Sequence, residues 1–453
     1  MKKLLITALA LLGSALAAIA FVGPAYIASA PGVASGMGAK LLCSARYVSG
    51  FSEQQALDDL VQYSPLLEYL DIQYDTANMS VTTSLLGISS TTAAYLPGVG
   101  CSNSYPGFDQ RNTLRTRTLA APAGDWPLGD RVATVDQQVQ ILAEQLRDED
   151  NAAGLNTRAL VVVHKGRIVA EAYAQEAGPE TPLLGWSMAK SMTSVMIGNL
   201  QLRGLVEVNE PAGFAEWAGD SRAAIKISDL LTMTDGLDFS EEYNPGDDAT
   251  AMLFTEPSAS AYALGKKTIH AGGSHFNYSS GTANLLSRLY FDRTGGTAQN
   301  SYDAFITYIA SPLGFQHSIF ETDASGVFVG ASYLYASARD WARLGQMMLN
   351  GGQLNGQRIV SADWVASSTR PNTSQNDPAY GYQWWLNQGG EQLRWPNLPA
   401  DAYAAQGNRE QNVMVIPSAE LVIVRLGWTS GRYPVNERFE RIVSAVDTSE
   451  VNH

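Results

Sequence analysis

Hydrophobic and polar positions divide this chain into three textures. Residues 4–27 form an uncharged run rich in Leu and Ala behind Lys2 and Lys3. Residues 28–130 are rich in Gly, Ser, Thr, Ala and Pro. Within them, 52–69 carry a helical spacing of apolar positions, with Ser52 as cap and Glu53 early, where a helix dipole favours a carboxylate. Residues 106–130, with Pro106, Pro122 and Pro127, read as a linker. From Val132 onward the pattern becomes regular. Residues 135–147 repeat at helical spacing, and 158–175 give two apolar runs around Lys165-Gly166, the mark of a hairpin. A turn and a helix follow over 181–202. Residues 228–234 begin at a helix cap and stop at Asp235-Gly236. Residues 241–257 are acidic and loop-like. Residues 278–292 open with a turn and continue as a helix through Leu285, Leu286 and Leu289. An amphipathic helix spans 337–350, between Ser337 and Gly351-Gly352, and a short one spans 361–367. Strands are expected at 380–387, 412–416 and 421–426, the last two joined through Pro417-Ser418-Ala419-Glu420.

Strands at both ends and helices between predict an α/β (α+β) sandwich. One antiparallel sheet, built from both ends of the domain, packs with helices, and a mostly helical lobe is inserted. The expected organisation is a leader (1–27), an extension and linker (28–130), one domain (131–445) and a tail (446–453).

The apolar run from Leu4 to Val22 is 19 residues, long for a signal-peptide core and suited to one membrane span. Ala15-Leu16-Ala17 and Ala18-Ile19-Ala20 offer small-x-small cleavage sites, so a cleaved signal peptide and an uncleaved transmembrane helix both stay open. Either predicts an exported chain, periplasmic or anchored facing the periplasm or exterior, that meets the membrane only through this segment. No later stretch is long and apolar enough to span. In an exported chain the two cysteines, Cys43 and Cys101, suggest a disulfide closing a loop of about 60 residues. The alternative is two free or buried thiols. At 453 residues and 45% hydrophobic, the chain can bury a large core. Its net charge of −14, with no basic run beyond Lys2-Lys3 and Lys266-Lys267, argues against nucleic-acid binding.

Candidate chemistry lies at Ser187-Met188-Ala189-Lys190, at the start of a predicted helix. Positions three apart share a helix face, so the hydroxyl and the amine can meet. Serine needs an adjacent base to attack, and lysine serves only where burial lowers its pKa. Apolar Trp186, Met188, Met192 and Val195 offer such surroundings, and the helix N-terminus favours a developing oxyanion. The competing reading of this tetrapeptide alone is an N-capped, solvated helix.

Other landmarks follow in order: Leu230-Leu231-Thr232-Met233-Thr234-Asp235-Gly236-Leu237, then Phe276-Asn277-Tyr278-Ser279-Ser280-Gly281, then a strand containing Gly407, then a hairpin at Ile416-Pro417. Together with Ser187-x-x-Lys190 they resemble the serine β-lactamase/penicillin-recognising superfamily in its class C-like branch, and most of all 6-aminohexanoate-dimer hydrolases and related esterases. The resemblance covers about residues 131–445. It implies the β-lactamase/transpeptidase-like fold, acyl transfer through a serine ester, Ser187 as nucleophile, Lys190 as the group taking its proton, and Tyr278 as acid/base. It also implies an oxyanion hole from the Ser187 amide and the strand near Gly407, with Gln406 and Asn408 beside it. Two departures stand out. The family's Tyr-x-Asn is here Tyr278-x-Ser280, and no Lys or His precedes Gly407, leaving Arg409 as the only candidate cation for a β-lactam carboxylate.

Several residues carry competing readings. Ser280 orients Lys190 or caps the following helix, and Gly407 is a close approach or a simple bulge. Trp186 and Tyr243 are expected as core, with lining of the cleft as the alternative. The carboxylates of 241–258 are expected as a solvated loop rather than a site for an amino group. His164, His270, His275, His317 and His453 lack metal-ligand spacing, and no Gly-x-Ser-x-Gly elbow supports a triad through His275. No cofactor and no metal are implied. The expected activity is hydrolysis of a small-molecule amide or ester. A β-lactamase or D-peptidase is one alternative, and a non-catalytic binding protein on the same fold is the other. Oligomeric state and natural substrate are left open.

Overall fold

The computed structural model describes residues 23–451 apart from 109 and 120–122. The leader's Lys2, Lys3, apolar run to Val22 and cleavage sites lie outside the described residues, as do Pro122 and His453. Among the described residues, no helix is long and apolar enough to cross a membrane.

The described residues begin with helix α1 (Pro24–Tyr47) and helix α2 (Glu53–Val61), where Ser52 caps by accepting from the Gln55 amide. Four strands follow: β1 (Leu70–Asp75), β2 (Ser80–Leu85), β3 (Ser89–Leu96) and β4 (Gly100–Asn103), an antiparallel meander in that order. Small residues let α1 lie close against this sheet and against the helix that ends at Phe254. A Cβ on Gly36 would stand 2.0 Å from the Phe254 carbonyl oxygen, and one on Gly38 would stand 2.6 Å from Leu70. Cys43 of α1 and Cys101 of β4 form a disulfide. These residues thus make a packed layer, with Leu42, Cys43, Val81 and Ala93 fully buried. Glu321, itself fully buried, fastens the layer to the rest of the molecule. It accepts from the Lys40 ammonium, from the Ser44 hydroxyl at 2.9 Å and from the Cys101 amide at 2.6 Å. Arg158 adds an ion pair to Asp59 at 2.5 Å.

The remainder builds the expected sandwich. Helix α3 (Gln137–Ala152) leads into β5 (Thr157–His164) and β6 (Arg167–Tyr173). Helices α4 (Met188–Leu202), α5 (Ser280–Arg293) and α6 (Ala338–Leu349) come from the middle of the chain. The chain returns through β7 (Trp385–Leu386), β8 (Tyr403–Gly407), β9 (Gln411–Ile416) and β10 (Leu421–Gly427), and ends in α7 (Val435–Val451). These strands form one antiparallel sheet in the order β7-β8-β9-β10-β5-β6. The β10–β5 pair, with Leu421 opposite His164 and Val424 opposite Val161, joins the two ends of the domain.

Both faces of the central strands are covered, so β5, β9 and β10 are buried along nearly their whole length, whereas the edge strand β6 alternates. Val161, Val163, Val422 and Val424 face the cluster that holds Trp341, Leu344 and Met347 of α6. Leu160, Val162, Met414 and Ile423 face Leu146 of α3 and Phe439 and Ile442 of α7.

Two expectations change locally. Of the strand expected at 380–387, only Trp385–Leu386 pairs, because Gln383 adopts a left-handed φ of 63° that turns the segment back and bridges Tyr380 to Trp385. Within the acidic 241–257, Asp248–Phe254 is a helix, buried through Ala249, Met252 and Phe254.

Candidate active site

The site is built where β8, α4 and α5 meet. The elbow before α4 is tight. A Cβ on Gly185 would stand 2.3 Å from the Trp341 ring, and Trp186 holds a left-handed φ of 47°, a conformation that costs a non-glycine residue about 1–3 kcal/mol. This turn sets Ser187 at the head of α4. Its side chain caps no amide, so the hydroxyl is left for other partners. The run Met188–Leu200 is buried throughout, which rules out a solvated, serine-capped helix. The Ser187 amide precedes the helical ladder, at the positive end of the helix dipole.

Lys190 is 1% exposed. Its ammonium donates to Ser187 Oγ at 3.0 Å, to Ser280 Oγ at 3.0 Å and to the Ala331 carbonyl at 2.9 Å. Burial lowers its pKa to about 8, and the negative charge of Glu241 partly offsets this. Once the amine is neutral, two N–H donors satisfy Ser280 and Ala331, and the lone pair faces Ser187 Oγ.

Tyr278 immediately precedes α5. The segment Leu230–Leu237 holds it in place. Met233, at φ 57°, accepts the Asn277 amide at 2.9 Å, and Asp235 accepts the Thr282 hydroxyl at 2.6 Å inside α5. Burial pushes the Asp235 carboxyl up to about 6. The Tyr278 ring stacks on Trp385 at 5.1 Å between centroids and meets Tyr380 edge-on at 6.0 Å. Lys190 Nζ lies 4.9 Å from its centroid. Burial, then the Glu241 charge, raises the Tyr278 pKa above that of an ordinary phenol, while a hydrogen bond with Ser187 acts the other way. The phenol therefore holds its proton firmly.

The cap of α5 is Ser279, which accepts from the Thr282 amide at 3.0 Å. Ser280 is thus not the cap. Its hydroxyl accepts from Lys190 and donates to Glu241 Oε1 at 2.6 Å, while its amide donates to Glu241 Oε2 at 2.6 Å. Tyr243 also donates to Glu241, at 2.8 Å. Glu241 is the residue that sequence reasoning missed. It lies 39 positions from Ser280 in a segment expected as a solvated loop, with a site for an amino group as the alternative. The one available signal was its place in an acidic run between two motifs.

Gly407 has an extended backbone, with φ −135°. A Cβ there would stand 2.1 Å from the Gly185 carbonyl oxygen, so the glycine serves close approach of β8 to the elbow rather than a bulge. Gln406, Gly407 and Asn408 line a cleft of about 270 Å³ together with Ser187, Glu241, Tyr278, Trp385 and Glu410. Arg409 turns away, its guanidinium 4.0 Å from the Tyr63 ring centroid. The charged side chains on this cleft are the carboxylates Glu241 and Glu410. Trp186 is buried and also lines a cavity beside Ser187, whereas Tyr243, expected as core, is 47% exposed and lines both spaces. His270 and His275 stack on each other at 4.2 Å, and neither lines the cleft.

Comparisons with known proteins give the family and the fold. A family model described as Beta-lactamase matches residues 139–446. The chain is 26% identical over 314 residues to the 6-aminohexanoate-dimer hydrolase of Paenarthrobacter ureafaciens, covering 64% of this chain and 77% of that protein. Its fold is similar to that of EstCE1, a hydrolase with promiscuous acyltransferase activity. There the TM-score is 0.57 at 15% identity, over 68% of this chain and 98% of that one. A class C beta-lactamase matches with TM-score 0.53 at 16% identity, over 69% of this chain and 96% of that one. The chain belongs to the Beta-lactamase family and is a serine hydrolase of the β-lactamase/transpeptidase-like fold, of the kind that acts on amide or ester bonds.

Proposed function

We propose that this protein hydrolyses a small-molecule amide or ester through an acyl-enzyme on Ser187. The observation that carries this is the environment of Lys190, a buried amine with a pKa near 8, 3.0 Å from Ser187 Oγ and held by two further partners. Neutral Lys190 takes the Ser187 proton as Oγ attacks the substrate carbonyl. The Ser187 amide and the strand edge at Gly407 and Asn408 receive the oxyanion. Tyr278, which keeps its proton, donates it to the leaving amine or alcohol, and the proton that Lys190 took from Ser187 then passes to the Tyr278 oxygen, leaving the amine neutral for deacylation. Water then attacks the ester carbonyl by the reverse sequence, releasing the acid and freeing Ser187.

The carboxylates Glu241 and Glu410 on the cleft, with Arg409 turned onto Tyr63, support a neutral or amine-bearing substrate over a β-lactam-like anion. The Cys43–Cys101 disulfide supports an exported location, where such bonds persist. The test is hydrolysis of p-nitrophenyl acetate by the full chain and by Ser187→Ala. Turnover lost in the variant supports the proposal, and equal rates refute it.

A further inference from the structure

A second cavity opens beside Ser187, on the side away from Tyr278. It has about 300 Å³ of water-accessible space, and Ser187, Tyr243 and Asn408 belong to both it and the cleft. Tyr278 and Trp385 line only the cleft, whereas Trp186 and the N-terminal layer line only the second cavity. Its walls are mainly apolar: Val33 and Met37 of α1, Leu66 and Leu67 before β1, Leu85 of β2, and Phe254. Most of this wall precedes residue 139, where the match to the family model begins. The disulfide and the Glu321 cluster hold it in position.

We infer that this cavity is the acyl pocket, and that the N-terminal layer makes the enzyme select substrates with a medium-length aliphatic acyl chain. The inference rests on the proposed acyl-enzyme chemistry. In that chemistry the leaving group must lie within reach of the Tyr278 hydroxyl, so it occupies the cleft. The acyl group, attached to the same carbonyl carbon, then extends to the other side of Ser187, where the apolar cavity begins. A methylene displaces about as much space as one water molecule, roughly 30 Å³, so the cavity has room for a chain of roughly ten carbons. Burying each methylene adds about fourfold to kcat/KM while the pocket fills.

The experiment measures kcat/KM of the full chain on p-nitrophenyl acetate, butyrate, octanoate and dodecanoate, beside Ala30→Trp and Leu66→Asp. Ala30 is a half-buried pocket residue on α1, and Leu66 is 53% exposed, so both substitutions leave the core intact. The expected result is a rise of at least 100-fold from acetate to octanoate. Each variant should lose tenfold or more on octanoate while acetate stays within twofold. Ser187-dependent turnover of acetate with no gain toward octanoate would overturn the pocket and leave the hydrolase reading standing. So would equal losses on all esters in both variants. Absence of any Ser187-dependent turnover, acetate included, would bring down both together.

Discussion

Replacing Glu241 with Gln separates an electrostatic role from a structural one. The carboxylate reaches Lys190 through Ser280. A bond of 3.0 Å from Nζ to Ser280 Oγ and one of 2.6 Å from Oγ to Oε1 place the two charges within about 6 Å. At that separation their attraction is about 0.7 kcal/mol in a water-like medium and about 3 kcal/mol at an effective dielectric of about 20. The carboxylate stabilises the protonated amine, in the direction given for Lys190. Removing it therefore lowers the Lys190 pKa, by about half a unit to two units. Since the neutral amine is the proposed base, the acidic limb of kcat/KM, set near pH 8 in the wild type, moves to lower pH by the same amount. The assay is kcat/KM for p-nitrophenyl acetate from pH 5.5 to 10, corrected for spontaneous hydrolysis. A lower plateau alone would reflect misplacement of Ser280. A limb that stays put or moves to higher pH would refute the reasoning.

Other predictions follow from the same contacts. Lys190→Met abolishes turnover, yet stabilises the fold at pH 7 by up to roughly 3 kcal/mol, because the wild type bears the whole penalty of its lowered pKa below pH 8. The unfolded chain binds the extra proton between about pH 8 and pH 10.5, so wild-type stability rises with pH across that window and the gap closes, as urea unfolding at each pH will show. Glu321→Gln leaves the Lys40 ammonium buried without its counter-charge and costs about 3–5 kcal/mol, read as a lower thermal midpoint and as loss of octanoate turnover before acetate turnover. Reducing Cys43–Cys101, which spans 58 residues, removes about 4 kcal/mol of stability by loop-entropy reasoning, and the same ordering of ester losses is expected. Gly407→Ala, whose methyl group meets the Gly185 carbonyl, lowers kcat at least tenfold with a smaller change in KM.

Much of the site was legible because its spacing is local. Ser187 and Lys190 share one helix face, and Leu230–Leu237 and Phe276–Gly281 are continuous segments that position Tyr278. The sheet was legible where both faces are buried, since the strands expected in 158–175, 412–416 and 421–426 hold the apolar runs 159–163, 413–416 and 421–424. Glu241 was not, because the bonds that bring it to the site come from Ser280 of α5 and, through it, Lys190 of α4, and its one sequence-local partner, Tyr243, gives no sign of them. The layer ahead of the domain was also hidden. β2 and β3 are Ser- and Thr-rich, and their half-buried faces resemble coil in composition. α1 uses Gly, Ala and Ser where backbones touch, a choice that looks like low complexity until the sheet beneath it is seen. For Gly407 the sequence left a close approach and a bulge both open, and only the neighbouring Gly185 carbonyl, which demands the missing Cβ, decides for the first.

The central claim is a covalent intermediate on Ser187. Rapid acid quench of the enzyme with excess p-nitrophenyl octanoate, followed by intact-mass and peptide mass spectrometry, tests it most directly. The account predicts one acyl group per chain, mapped to the peptide bearing Ser187 and absent from Ser187→Ala. An adduct on another residue, or ester turnover that persists in Ser187→Ala, would contradict it.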